Sequence, residues 1–158
     1  MYLKEMLVAD ACRVLSGSPS ADEVLERMVQ ALAETLHGGL PASRATVAIE
    51  ALRAREREAS TAFGLGVAIP HCFLEGFGPA RLSIAVSVSG VDFHAMDGSL
   101  THVFFLLIED LAARGSHAAL ISRIARLCLE TRVLASIRGA RDGQEITSIL
   151  ADAELELD

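Results

Sequence analysis

The sequence predicts an α/β fold in which helices cover both faces of a central sheet. Residues 103–108 are apolar at every position, a pattern typical of a strand that is buried on both sides. In residues 82–89 apolar side chains alternate with serine and alanine, which is the period of a strand with one well-buried face. Segments with helical periodicity lie on either side of these strands. The length of 158 residues suits a single domain, 1–158.

Short elements and then a long helix are expected at the start of the chain. We expect one or two helical turns within residues 1–9 and an extended piece at 13–15. Ser20 and Glu23 form a capping-box pattern that predicts a helix from there to about Gly38. Its apolar residues recur at helical spacing: Val24, Leu25, Met28, Leu32 and Leu36.

A second helix is expected after Pro41, with Ser43 as its cap. Its apolar positions are Ala45, Ala48, Ile49 and Leu52. It should end in the mixed-charge run 53–58, since such runs are usually solvated helix ends.

Glycines and prolines predict the irregular segments. Glycines hinge the start of residues 64–71, a short apolar strand follows, and Pro70 presents His71 at the end of that strand. Residues 72–79 and 109–115 are expected to be loops, and Asp97-Gly98 a turn.

Three further helices are expected in the last third of the chain. The first begins near His117 and carries its apolar residues at Leu120, Ile121, Ile124, Leu127 and Cys128. Two short helices are expected at 133–137 and around 145–150. The acidic tail, 152–158, is expected to fray.

Composition excludes several classes of function. The formal net charge is −7 and no basic run is interleaved with aromatic residues, so a nucleic-acid partner is not expected. The three cysteines form no CxxC pair, which argues against a structural zinc site or a disulfide framework and favours a reducing cytoplasm. The longest strongly apolar run, 103–108, is too short to span a bilayer, so membrane insertion is not expected.

His71 is the leading candidate for chemistry. A histidine is largely neutral and nucleophilic near pH 7, and one held at the end of a rigid strand suits a general base, a metal ligand or a phosphoryl acceptor. The pattern does not choose among these roles, and a histidine that merely ends a strand remains an alternative. His117 opens a helix, where free N–H groups favour anions, so a phosphoryl group could bridge the two histidines.

Residues 55–71, Arg-Glu-Arg-Glu-Ala-Ser-Thr-Ala-Phe-Gly-Leu-Gly-Val-Ala-Ile-Pro-His, carry a specific resemblance. Together with Val91-Asp92-Phe93, Asp97-Gly98 and His117, they resemble the fructose/mannitol-type enzyme IIA domain of the bacterial phosphoenolpyruvate-dependent phosphotransferase system, including its nitrogen-regulatory branch. The resemblance covers nearly the whole chain. It implies a mixed, mostly parallel sheet with helices on both faces.

The resemblance also implies roles for individual residues. His71 would accept the phosphoryl group, His117 would be its imidazole neighbour and Arg55 the cationic partner, with no cofactor and no metal. The group would come from a histidine phosphocarrier protein (HPr-like) and pass to an enzyme IIB, or would remain as a signal to regulatory target proteins. Two departures from the family pattern are Cys72, where a small or polar residue is common, and Glu109, where many members have proline.

Several functions remain open at this stage. The lack of a fused transporter or IIB segment favours a nitrogen-regulatory phosphoryl carrier over a sugar-specific IIA or a phosphorylation-switched binding module. A relic fold that binds partners without phosphorylation is a weaker alternative, since all three site residues remain. Phe63, Phe73 and Phe77 flank His71 in sequence, and we expect at least one of them to be exposed near it as a docking residue.

Overall fold

The computed structural model describes residues 2–158. Its strands are β1 (Arg13–Leu15), β2 (Ala62–Gly64), β3 (Val67–Ala68), β4 (His71–Leu74), β5 (Arg81–Val91) and β6 (Thr101–Asp110). Its α-helices are α1 (Leu3–Met6), α2 (Ala21–Glu34), α3 (Ala45–Glu58), α4 (His117–Leu129), α5 (Thr131–Arg138) and α6 (Gly143–Leu157). Short 3₁₀ turns cover Ala9–Ala11, Ala42–Arg44 and Leu111–Ser116.

The strands form one mixed sheet. Its order is β1-β5-β6-β3-β2, and β4 also pairs with β6. β1 is parallel to β5, while β3 and β4 are both parallel to β6. The pairs β2–β3 and β5–β6 are antiparallel. The predicted α/β fold, with a mixed and mostly parallel sheet, is confirmed.

Helices cover both faces of this sheet, so β6 is buried on each side. Alternate residues of the strand enter different cores, because successive side chains point to opposite faces. Phe104, Leu106 and Ile108 pack in the core that contains α2 and α3. Val103, Phe105 and Leu107 pack in the core that contains α4, α5 and α6. The sequence correctly predicted the central strand.

β3 and β4 follow one after the other along the same edge of β6. Pro70 lies between them and cannot donate to the ladder, but its carbonyl still accepts from Leu107 N–H at 3.0 Å. His71 then pairs with Leu107 as the first residue of β4. The expectation that His71 ends a strand and that 72–79 is a loop is therefore wrong for residues 71–74. The reason is that β6 continues to Asp110 and offers bonding groups to them.

The helix predictions are correct in number but less accurate at the ends. Ser20 caps α2 as expected, since Glu23 N–H donates to its hydroxyl at 3.2 Å. The helix stops at Glu34, however, and Leu36 is 91% exposed. The chain turns away at Thr35, whose hydroxyl donates to the Leu32 carbonyl at 2.7 Å.

Other expected ends also need correction. α3 follows a 3₁₀ turn, so Ser43 is not its cap, and the helix includes the whole charged run to Glu58. The expected loop 109–115 begins with the last residues of β6 and continues as a 3₁₀ turn. The N-terminal turn, the extended 13–15, the Asp97-Gly98 turn, α4 and α5 agree with prediction. Met1 lies outside the described residues.

The acidic tail is ordered, contrary to expectation, because Glu154 anchors it. The Glu154 side chain is fully buried. Its carboxylate accepts from Leu3 N–H at 2.6 Å, Lys4 N–H at 2.8 Å and Arg123 Nε at 3.0 Å. These bonds satisfy free backbone N–H groups in the first turn of α1 and join that helix to α4 and α6.

Replacing Glu154 with alanine should therefore lower stability markedly. We expect Glu154→Ala to cost about 3 kcal/mol, because it leaves buried donors and the Arg123 cation without their partner. Urea unfolding of this variant and of Glu156→Ala, an exposed neighbour on the same helix, measures the effect. Equal losses in the two variants would contradict the anchoring role.

Candidate active site

The structure brings Arg55, His71 and His117 together at one end of the sheet. His71 opens β4, Arg55 lies in the last turn of α3, and His117 is the first residue of α4. Each side chain is half-buried. The ring centroids of the two histidines are 4.5 Å apart. Three polar groups from three different elements thus converge on a small region.

Two hydrogen bonds define the tautomer of His71. Its Nδ1 lies 2.9 Å from the Ile69 carbonyl oxygen, which can only accept, so Nδ1 carries the hydrogen. Arg55 Nε–H donates to His71 Nε2 at 3.2 Å, and an arginine can only donate. The ring is therefore neutral, with a lone pair on Nε2 that accepts the hydrogen bond from Arg55.

The surroundings of His71 favour this neutral form. Burial lowers its pKa below the ordinary value of 6.5, and the nearby His117 and Arg55 lower it further. The hydrogen bond to the Ile69 carbonyl acts in the opposite direction but does not offset these effects. At neutral pH the ring is a nucleophile with one defined attacking nitrogen.

Arg55 is held by the end of its own helix as well as by His71. Its Nη1 donates to the Ala59 carbonyl at 2.8 Å. This contact positions the guanidinium at the edge of the site, where its remaining N–H groups can bind the oxygens of an anion.

His117 has a carboxylate partner, Glu109, whose role the sequence pattern does not predict. Its Oε2 accepts a close hydrogen bond from His117 Nδ1. Glu109 is 1% exposed and stands at the end of β6, directly across from Phe73 of β4. A carboxylate that directly follows the all-apolar run 103–108 was the signal that could have revealed it, because such residues are rarely buried unless paired.

Aromatic packing supports the two histidine rings. The Phe73 ring is edge-on to His117 at a centroid distance of 5.0 Å and to His71 at 6.5 Å. Cys72 points to the opposite face, into the core with α2 and α3. Burial, and then the charge of Glu109, raise the pKa of the Cys72 thiol to about 12. The thiol therefore stays protonated and takes no part in the chemistry of the site.

The other histidines lie away from this site. His102 Nδ1 is bonded to the Ser87 carbonyl at 2.9 Å and its Nε2 contacts Arg138 at 3.0 Å. His94 has a positive φ of 58° and lies near Asp92. Between residues 2 and 158, no cluster of three or more His, Cys, Asp or Glu side chains is arranged to hold a metal ion.

Residues 6–153 match the family model for the phosphoenolpyruvate-dependent sugar phosphotransferase system, EIIA 2. The chain belongs to this family. A nitrogen regulatory protein from Pseudomonas aeruginosa is 32% identical to it over 129 residues, which are 82% of this chain and 84% of that protein. A fructose-specific EIIA component from Haloferax volcanii is 30% identical over 105 residues, or 66% and 68% of the two chains.

A solved member of the IIA family agrees with the fold. The nitrogen regulatory protein IIA-Ntr from Neisseria meningitidis superimposes with a TM-score of 0.79 at 27% identity, covering 94% of this chain and 98% of that one. Within residues 2–158, no helix combines the length and the apolar character needed to cross a bilayer.

The titration of His71 tests the electrostatics of the site. We expect NMR to give a pKa below 6.5 for His71, and Arg55→Gln to move it part of the way back, because a nearby cation is removed. A histidine whose pKa is lower in the folded state stabilises the protein above its unfolded pKa, and that contribution is lost as the pH falls below 6.5.

Arg57→Gln is the matched control, since Arg57 is exposed in the same last turn of α3. This variant should leave the His71 titration unchanged. A His71 pKa at or above 6.5 in the wild type would contradict the assigned tautomer and environment.

Proposed function

We propose that this IIA-family chain is a phosphoryl carrier that accepts a phosphoryl group on His71 Nε2 from a histidine phosphocarrier protein (HPr-like). The observation that supports this most strongly is the pair of contacts on His71. The Ile69 carbonyl holds the ring hydrogen on Nδ1, and Arg55 lies against Nε2. The attacking atom and a cation for the incoming group are therefore side by side.

The transfer needs positioning and charge neutralisation more than covalent assistance. The lone pair of His71 Nε2 attacks phosphorus while the bond from phosphorus to the donor nitrogen breaks, and the donor imidazole keeps that electron pair. The hydrogen stays on His71 Nδ1 throughout, donated to the Ile69 carbonyl oxygen. The guanidinium of Arg55 shifts from Nε2 to the phosphoryl oxygens, and His117 binds them from the other side of the ring. None of these steps requires a metal.

A nitrogen-regulatory role is the first candidate for what the phosphoryl group does next. The P. aeruginosa relative carries that name, and so does the solved N. meningitidis protein. On this proposal the chain is one cytoplasmic IIA-like domain, 1–158, whose phosphorylated and unphosphorylated forms bind different regulatory target proteins.

A sugar-specific role is the second candidate. The H. volcanii relative is named a fructose-specific component. A mannitol IIA from Escherichia coli, which shares the fold at 14% identity, has been solved in complex with a phosphorylated enzyme IIB. In this role the chain would pass the group from His71 to an enzyme IIB. Assays with a cognate IIB and with candidate regulatory targets distinguish the two roles.

Phosphorylation itself is tested by mass spectrometry. Incubation with phosphoenolpyruvate, enzyme I and a phosphocarrier should add one acid-labile phosphate, because the neutral His71 ring presents a lone pair on Nε2. His71→Ala should take up none. An unmodified wild-type mass, or a phosphate that persists in His71→Ala, would refute the proposal.

The phenylalanines near His71 bear on the docking surface. Phe63 is 45% exposed and lies in β2, which pairs with β3 just before His71. Phe73 is half-buried against the histidine rings, and Phe77 is half-buried under Arg44 at 5.9 Å. Phe63 is thus the best candidate for contact with a partner protein.

Phe63→Ala should slow phosphoryl transfer from the phosphocarrier by about tenfold or more, since an exposed aromatic anchor commonly contributes about 2 kcal/mol to an interface. Its melting temperature should change little. Leu129→Ala is the control, because Leu129 is 66% exposed at the far end of α4. A loss of stability with normal transfer would make Phe63 a core residue instead.

A further inference from the structure

Glu56 lies in the last turn of α3, next to Arg55, and its side chain is half-buried, whereas that of Glu58 is exposed. Burial raises the pKa of Glu56, and hydrogen bonds from Thr61 act in the opposite direction because they stabilise the charged form. Charged side chains at a helix end usually turn to water. A carboxylate that is held partly away from water needs polar partners, and Thr61 supplies them.

Both hydrogen bonds that the Glu56 carboxylate accepts within residues 2–158 come from Thr61. Its Oε2 accepts from the Thr61 N–H at 3.0 Å, and its Oε1 accepts a close hydrogen bond from the Thr61 hydroxyl. Thr61 is 9% exposed and directly precedes β2. The two bonds therefore tie the last turn of α3 to the start of the next strand.

Thr61 also contacts the chain segment that presents His71. The Thr61 carbonyl accepts from the Ile69 N–H at 3.2 Å. Ile69 is the residue whose own carbonyl accepts from His71 Nδ1 at 2.9 Å. Thr61 thus connects the end of α3 with the backbone group that fixes the orientation of the His71 ring.

The short loop that Glu56 and Thr61 close also contains an anchor of Arg55. This anchor is the Ala59 carbonyl, which accepts from Arg55 Nη1 at 2.8 Å. Arg55 Nε lies 3.2 Å from His71 Nε2 at the same time. The direction of the Ala59 carbonyl depends on the path of this loop, so the position of the guanidinium depends on it as well.

We propose that Glu56 is a positioning residue that fixes the Arg55 guanidinium beside His71. It acts through Thr61, and no atom of Glu56 needs to touch the phosphoryl group. This inference rests on the proposed function of His71. While Arg55 Nε moves from His71 to the phosphoryl oxygens, Nη1 can stay on the Ala59 carbonyl. A cation that is anchored in this way needs less reorientation to reach the transition state.

Thr61→Val tests this role without changing any charge. Valine has nearly the shape of threonine but lacks the hydroxyl that donates to Glu56. The kcat of phosphoryl transfer should fall about tenfold or more, because the guanidinium is misplaced. KM for the phosphocarrier should change little, because the docking surface is intact. Thr61→Ser keeps the hydroxyl and should transfer at close to the wild-type rate. An equal fall in the valine and serine variants would overturn the proposal.

The unphosphorylated protein gives a readout that does not depend on transfer. In the wild type the Arg55 Nε–H is bonded to His71, so its NMR signal should exchange slowly with water. Exchange should be faster in Glu56→Ala, because the loop that anchors the guanidinium loses its tie. Glu58→Ala is the matched control and should leave the exchange unchanged, since Glu58 is exposed on the same helix. The same exchange rate in Glu56→Ala as in the wild type would contradict the proposed role.

A double-mutant comparison separates this role from a purely structural one. In an Arg55→Gln background, Glu56→Ala should have no further effect on transfer, since it acts through Arg55. An equal effect in both backgrounds would overturn the proposal. If the wild type takes up no phosphate, the proposed function of His71 fails, while the exchange of the Arg55 Nε–H still decides whether Glu56 fixes the guanidinium.

Discussion

The edge of β6 that carries β3 and β4 is the constraint on which the rest of the site depends. Pro70 has no N–H to donate to this edge, but the chain stays in place because the Pro70 carbonyl still accepts from Leu107 N–H of β6. His71 therefore enters the ladder in a fixed register. Glu109 lies near the end of the same β6, and the chain reaches His117 after one 3₁₀ turn. One strand thus sets the distance between the two imidazoles.

The site places two identical side chains in different surroundings. His71 has a carbonyl on one nitrogen and a cation on the other. Burial and the nearby cation lower its pKa and favour the neutral ring, although the carbonyl acts in the opposite direction. His117 has the buried carboxylate of Glu109 beside it, which accepts a hydrogen bond from its Nδ1. The difference arises from which strand or helix end each histidine occupies.

Periodic sequence patterns correctly predicted the central strand and the main helices. The elements that they did not predict depend on pairing with residues distant in the sequence. The all-apolar run correctly identified the central β6, and Ser20 with Glu23 correctly predicted the start of α2. Residues 71–74 look like a loop in isolation because glycines and a proline follow, and only the exposed edge of β6 makes them a strand. The sequence around Glu154 predicts a frayed tail for a similar reason, since the partners of Glu154 are more than 30 residues away in sequence.

For the candidate site, the residues alone pointed to His71 and His117, whereas the choice of Arg55 within its charge run came from family resemblance.

The contact between Arg55 and His71 Nε2 has a chemical consequence of its own. On the proposed function, the lone pair that attacks phosphorus is already hydrogen-bonded to Arg55 in the resting site, so the arginine shields it. An uncharged electrophile offers nothing to draw the guanidinium aside, whereas a phosphoryl dianion competes for it directly. A His71 acceptor would therefore select charged phosphoryl groups over neutral electrophiles through this one contact.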